Sequence, residues 1–306
     1  MLTKVKAGDT VVIIATARWV TTQDISAFLS WAASHALKVE LSPNLFEVHH
    51  QFAGSDQQRA DDLLWALTHP TATAVFCARG GYGTLRTLKQ MLEQLTFDEK
   101  NIDGLMRSQW KKKLFIGFSD VTVLHSWLNS YGWISLHGPV VNQWNNEGFS
   151  DTLFSLEKAI FTGRSQLDVS HLPQINAKPF EAELVGGNLS LVYSLLATPF
   201  RINWQNRVLL LEDLDEYLYH IDRMMQTLES SGLFASAQAI IVGGMTEMRD
   251  NTVPFGDNAV DIIRKIASKY SIPVIFNVPI GHLSTNYSVF LGTSITFDGR
   301  FLSQNS

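Results

Sequence analysis

The sequence predicts an α/β protein of two domains, the first built on a parallel sheet and the second a smaller α/β unit. Three observations carry that prediction. Short apolar runs alternate with segments of helical spacing through the first half; the periodicity lapses near Gly163 to Pro179, where Pro, Ser and Asn accumulate; the alternation then resumes. At 306 residues, 45% hydrophobic and 17% charged, the chain has apolar surface enough for two cores. The domains read as 1–165 and 180–306, joined by a linker at 166–179 that is placed to act as a hinge.

Each element follows from its local pattern. "TVVIIATA" is a buried strand, and "TQDISAFLSWAASHAL" has helical spacing through Ile25, Leu29 and Trp31-Ala32. "LKVEL" follows as a strand. "SDQQRADDLLWALTHP" is a helix that starts at a Ser-Asp cap and stops at Pro70. "TATAVFCA" and "LFIGF" are further buried strands, each followed by a turn and a helix. The second half continues with "GGNLSLVYSLLATPF" (helix), "RVLLLED" (strand), "EYLYHIDRMMQTLESSGLF" (helix), "AQAIIVGGM" (strand) and "DNAVDIIRKIASKY" (helix), then the strands "PVIFNV" and "YSVFLG".

Composition excludes several classes. A net charge of −5 offers no attraction to nucleic acid or an anionic membrane, and Lys111-Lys112-Lys113 reads as a solvated loop. One cysteine, Cys77, permits neither an intrachain disulfide nor a Cys-based zinc site, and it lies in an apolar run as a buried thiol. No apolar stretch nears the roughly 20 residues a membrane span needs. The opening segment has no signal-peptide cleavage site, so a cytoplasmic location is expected. No metal or cofactor is expected.

Open α/β sheets place their ligands beyond the carboxyl ends of the strands, and four candidates lie there. Ser119 in "IGFSDV" follows a strand and precedes a helix. It is either an ordinary helix cap or a nucleophile raised on a sharp turn, although Val121 stands where the usual elbow has a second glycine. "ARGGYGTLR" puts Gly80-Gly81 after a strand, where backbone amides can approach an oxyanion, carboxylate or phosphate; a plain tight turn is the alternative. Glu212 is expected as the first residue past its strand, with Asp213, Asp215 and Glu216 behind it. A carboxylate there is placed to orient a histidine; the alternative is that Asp213 or Asp215 simply caps the next helix, and both can hold at once. His282 follows a strand and a glycine. The chain order Ser119, Glu212, His282 is that of α/β-hydrolase triads.

Taken together, "AGDTVVIIA", "AGSDQQRADDLLWAL", "FCARGGYGTLR", "FIGFSDVTVLH" with "LHGP", "VGGNLSLV", "LLLEDLDEYLYHIDRMM" and "PIGH" resemble the serine LD-carboxypeptidases, with the microcin-immunity peptidases related to them. The resemblance spans nearly the whole chain in the family's order. It implies a glutamine-amidotransferase-like first domain, and a triad of Ser119 as nucleophile, Glu212 as acid and His282 as base. It also implies Gly81 and Asp120 as oxyanion amides, a murein tetrapeptide losing its terminal D-alanine, and a homodimer. Two departures stand out: "ATARW" replaces a small Pro-Ser element, and "YLYHIDRM" has Leu218 and His220 where proline and arginine are common. A carboxypeptidase must also hold a free carboxylate, and Arg79 is the candidate, a structural ion pair being its other reading. Asn188 of "GGNLS" lines the cleft or caps its helix. The rival substrate is a peptidyl-nucleotide, which calls for an added aromatic-bearing loop that so compact a chain leaves little room for. A non-catalytic phosphate- or peptide-binding protein is the rival from another class, with Ser119 only a cap.

Overall fold

The computed structural model describes residues 4–97, 101–146 and 148–305. Among these residues the strands form two sheets. The first uses β1 (Thr10–Ile14), β2 (Lys38–Leu41), β3 (Ala72–Cys77), β4 (Leu114–Gly117) and β5 (Ser135–His137), all parallel. Every residue of β1, β3 and β4 is buried, whereas the edge strand β2 is largely exposed. Full burial on both faces is why these strands read as unbroken apolar runs rather than alternating ones. One face packs on Phe28, Trp31 and Trp144, the other on Leu63, Leu67, Leu88 and Met91.

The helix Asp56–Thr68 begins where the sequence places it. Ser55 accepts from the Gln58 amide while the Gln58 side chain accepts from the Ser55 amide, so both orphan donors are satisfied. The helix stops before Pro70. The helix Ser26–Ser34 is shorter than its periodic segment, its first turn being preceded by a Thr21–Asp24 turn.

The second sheet contains β6 (Arg164–Asp168), β7 (Gln174–Ile175), β8 (Phe180–Asn188), β9 (Val208–Leu214), β10 (Ala239–Thr246) and β11 (Val274–Ile275), followed after a gap by β13 (Thr293–Phe297) and β14 (Phe301–Asn305). Its order is β6-β14-β13-β8-β9-β10-β11-β7, parallel from β8 through β11 and antiparallel at both flanks. The stretch expected as an aperiodic linker therefore supplies two strands to this sheet. β6 alternates exposed and buried residues, and its polar half masks the strand signal in "RSQLD".

The remaining strand, β12 (Val289–Leu291), crosses back. It pairs antiparallel with β5 and closes the edge of the first sheet. Phe290 on β12 belongs to the first core although the second half of the chain carries it. The two halves also meet at "GGN". The Asn188 amide donates to Thr122 Oγ1 at 3.0 Å, and a methyl group at Gly187 (φ 136°) would lie 2.5 Å from that oxygen. Gly186 would likewise clash with the Leu210 carbonyl at 2.2 Å. The adjacent glycines let β8 lie against both β9 and the helix that starts at Thr122.

Candidate active site

Ser119 sits just past β4, with Phe118 extended before it and a 3₁₀ turn leading into the helix Thr122–Ser130. Its φ is 62°, in the left-handed region that costs a non-glycine residue on the order of 1–3 kcal/mol. Among the described residues its hydroxyl caps no helix: neither the 3₁₀ turn nor the following helix has a side-chain cap. Gly117 makes the turn possible, since a methyl group there would lie 2.9 Å from Val121 Cγ2 and 3.1 Å from Cys77 Cβ. Val121 thus fills the space over Gly117 at the position where the usual elbow has a glycine.

The loop after β3 lies against this turn. A methyl group at Gly80 would be 3.2 Å from Ser119 Cβ and 3.4 Å from its Oγ. Gly81 (φ 112°) and Gly83 (φ 149°) have conformations L side chains rarely adopt. The Gly81 and Asp120 amides donate to no loop or turn carbonyl among the described residues. The Asp120 carboxylate, buried, accepts from the Thr84 amide at 2.7 Å and so ties the turn at Ser119 to the helix Thr84–Phe97. Burial pushes its pKa up against that hydrogen bond.

Arg79 is half-buried, donates to the Trp19 carbonyl at 3.4 Å, and has no ion pair among the described residues. Arg18, exposed, lies across Gly81; a methyl group there would be 2.7 Å from its Cδ and 2.8 Å from its Nε. Two cationic side chains, Arg79 and Arg18, therefore flank the glycine loop. Arg18 belongs to the "ATARW" departure.

Glu212 stands within β9, paired in register with Asn188, rather than just beyond the strand; β8 and β10 extend far enough to keep residues 212–214 in the sheet. It is fully buried, and its Oε2 accepts from His282 Nδ1 at 2.6 Å and from the His282 amide at 3.3 Å. Gly281 (φ 100°) makes this approach possible, because a methyl group would lie 2.4 Å from Glu212 Oε2. Burial opposes ionisation of Glu212, but the imidazoles of His137 and His282 outweigh it and hold the carboxyl below its ordinary value. For His282 burial acts downward, while the hydrogen bond to Glu212 and its charge, with Asp213 and Glu247 adding, raise the pKa above the ordinary value. The ring packs on Phe118, the residue before Ser119, with centroids 4.7 Å apart. With Nδ1 occupied by Glu212, Nε2 is the ring atom left to exchange a proton with a substrate or nucleophile.

Asn188 is buried at the start of the helix Leu189–Ser194; its Oδ1 accepts from the Leu191 amide and its Nδ2 donates to Asp213 at 2.8 Å. Asp213 also accepts from the Ser190 amide, and burial beside the Glu212 charge pushes its pKa up to about 7. Neither Asp213 nor Asp215 caps the helix Leu218–Ser230, whose first turn has no side-chain cap; Asp215 instead pairs with Arg249. Among the described residues no group of three or more His, Cys, Asp or Glu is placed to hold a metal ion.

Comparison with known proteins finds matches in both halves of the chain. The profile of the LD-carboxypeptidase N-terminal domain matches residues 11–138, and that of the LD-carboxypeptidase C-terminal domain matches 181–297. A probable murein peptide carboxypeptidase of Bacillus subtilis is 32% identical over 93% of this chain and 87% of its own. A murein tetrapeptide carboxypeptidase of Pseudomonas aeruginosa is 27% identical over 95% and 94%. The crystal structure of muramoyltetrapeptide carboxypeptidase from Oxalobacter formigenes superposes with a TM-score of 0.81 over 97% of this chain and 99% of that one, at 24% identity, which shows a shared fold.

Proposed function

The chain belongs to the LD-carboxypeptidase family, and from that premise we propose that it is a serine peptidase removing the terminal D-alanine of murein tetrapeptides. The observation that carries the proposal is the fully buried Glu212 held 2.6 Å from His282 Nδ1, with the His282 ring packed on Phe118, the residue before a serine in the left-handed region at a strand-to-helix turn. A binding protein has no use for that strained, uncapped serine.

In the proposed reaction His282 Nε2 takes the Ser119 proton as Oγ attacks the carbonyl of the L,D-peptide bond. Glu212 holds the ring's tautomer and stabilises the imidazolium. The Gly81 and Asp120 amides receive the oxyanion, each donor contributing on the order of 3 kcal/mol. The C–N bond breaks as the imidazolium returns its proton to the departing D-alanine amine, and water then hydrolyses the acyl-enzyme by the same route. Arg79, joined by Arg18, supplies the positive charge for the terminal carboxylate. Asn188 serves the site through its bond to Asp213 next to Glu212 rather than through the substrate.

Peptidoglycan recycling in the cytoplasm, by a homodimer, is the setting this reading gives the reaction. No helix among the described residues is long and apolar enough to cross a membrane. The test is D-alanine release from a murein tetrapeptide by the purified protein, beside the same peptide with a C-terminal carboxamide. The proposal expects release from the acid and little from the amide; equal cleavage of both would remove the carboxylate from recognition, and none from either would sink the reading.

A further inference from the structure

We propose that His137 is a positioning residue for the triad, its Nε2–H donating to Glu212 Oε1 in the working enzyme so that the carboxylate is clamped between two histidines. The inference rests on the Ser119–Glu212–His282 reading. In the sequence His137 stands only as the histidine of "LHGP".

Both side chains are fully buried, and His137 Nε2 lies 3.7 Å from Glu212 Oε1. Among the described residues Oε1 and both ring nitrogens of His137 lack a hydrogen-bond partner. The other carboxylate oxygen is taken twice, by His282 Nδ1 and the His282 amide. A donor and an acceptor that face each other while fully buried lose their exposure to solvent whether or not they join, so closing the gap recovers what burial cost. Catalytic hydrogen bonds are often long in unliganded structures and tighten with substrate.

The backbone fixes where this imidazole stands. His137 is in register with Gly117 on the nucleophile's strand and with Val289 on β12. Phe118 packs against both imidazoles, with its ring centroid 5.8 Å from that of His137 and 4.7 Å from that of His282. A single aromatic ring thus touches both histidines that approach the one carboxylate. The neighbouring His125 cannot substitute: its Nε2 is engaged with the Gly117 carbonyl, and its ring centroid lies 6.3 Å from that of His137. Burial drives the His125 pKa down to about 3. The remaining charged groups facing the pair are Asp213, beside Glu212, and Glu247, near His282.

The experiment measures kcat, KM and the pH dependence of kcat/KM for D-alanine release by the wild type and by His137→Leu, His137→Gln and His137→Asn. Leucine removes the donor; glutamine returns an N–H near the Nε2 position, and asparagine places one nearer Nδ1. His137→Leu is expected to lose about 10- to 100-fold in kcat, by analogy with the loss seen when the hydrogen-bond partner of a metal-ligating side chain is removed, with KM little changed. Without the donor Glu212 holds the His282 proton more strongly, so the acid limb of the profile moves to higher pH. His137→Gln should restore most of the rate and the limb, and His137→Asn should not. Where His137→Leu fails to fold, the contrast between glutamine and asparagine decides. Equal rates and limbs for glutamine and asparagine, or wild-type behaviour throughout, overturn the inference. Release that survives Ser119→Ala overturns the triad and this inference together; dependence on Ser119 with indifference to His137 overturns this inference alone.

Discussion

At the residue scale, the site depends on close approaches that side chains larger than glycine forbid. Gly281→Ala would put a methyl group 2.4 Å from Glu212 Oε2 at a φ of 100°. A displacement of that size is expected to cost on the order of 10²-fold in kcat, checked by steady-state kinetics beside a melting curve. The His282 pKa has a direct kinetic consequence. The base must be unprotonated to act, and Glu212 raises its pKa, so the acid limb of kcat/KM should lie above the ordinary histidine value of about 6.5. The same shift sets a sign for stability: the contribution is full below the unfolded-state value and fades as pH rises through the folded value. Glu212→Gln should pull the limb down and reduce kcat by about 10⁴-fold, as loss of a triad acid does.

Ser119 and Glu212 stand out in the sequence because each lies at or just after a strand, where a parallel sheet presents its ligands; His282, expected directly after the strand "PVIFNV", lies instead well along the loop that follows the short β11. His137 does not stand out, because a histidine ending an apolar strand reads as core, and only the sheet pairing brings it to Glu212. Arg18 was noticed only as a departure, since nothing local places it over Gly81. The Asp120 side chain, which ties the turn at Ser119 to Thr84, was hidden behind the expectation for its amide.

At the element scale, local signals carried well where the element satisfies its own backbone. The reciprocal capping of Ser55 and Gln58 is one such case. Ser55→Ala should lower stability by about 1 kcal/mol, read as a shift in the urea midpoint with an unchanged slope. Signals failed where a strand's character comes from its partners. "RSQLD" became β6 because β14 pairs along its length, and the residues from 166 to 179 are held into the second sheet at β6 and β7. The sequence has no local marker for such antiparallel flanks.

At the scale of the whole molecule, β12 joins the halves. "YSVFLG" was readable as a strand, but its partner is β5 in the other half of the chain, and long-range pairing leaves no mark in a short apolar run. Phe290 on this strand is fully buried in the first core. Phe290→Ala should therefore cost about 3–5 kcal/mol and destabilise both halves together. Far-ultraviolet circular dichroism and tryptophan fluorescence should follow one coincident urea transition, and two separated transitions would mean the halves fold independently. The coupling bears on the proposed site: Ser119 and the glycine loop follow strands of the first sheet, Glu212 lies in the second, and His282 lies in the loop between β11 and β12.

If Ser119 is the nucleophile of a triad assembled from both halves, D-alanine release from an L,D-linked murein tetrapeptide must depend on its hydroxyl. Measured under the same conditions, the wild type should release D-alanine and Ser119→Ala should fall on the order of 10⁶-fold in kcat, the loss known when a triad serine is removed. Release by Ser119→Ala at a rate near the wild type's would contradict that role.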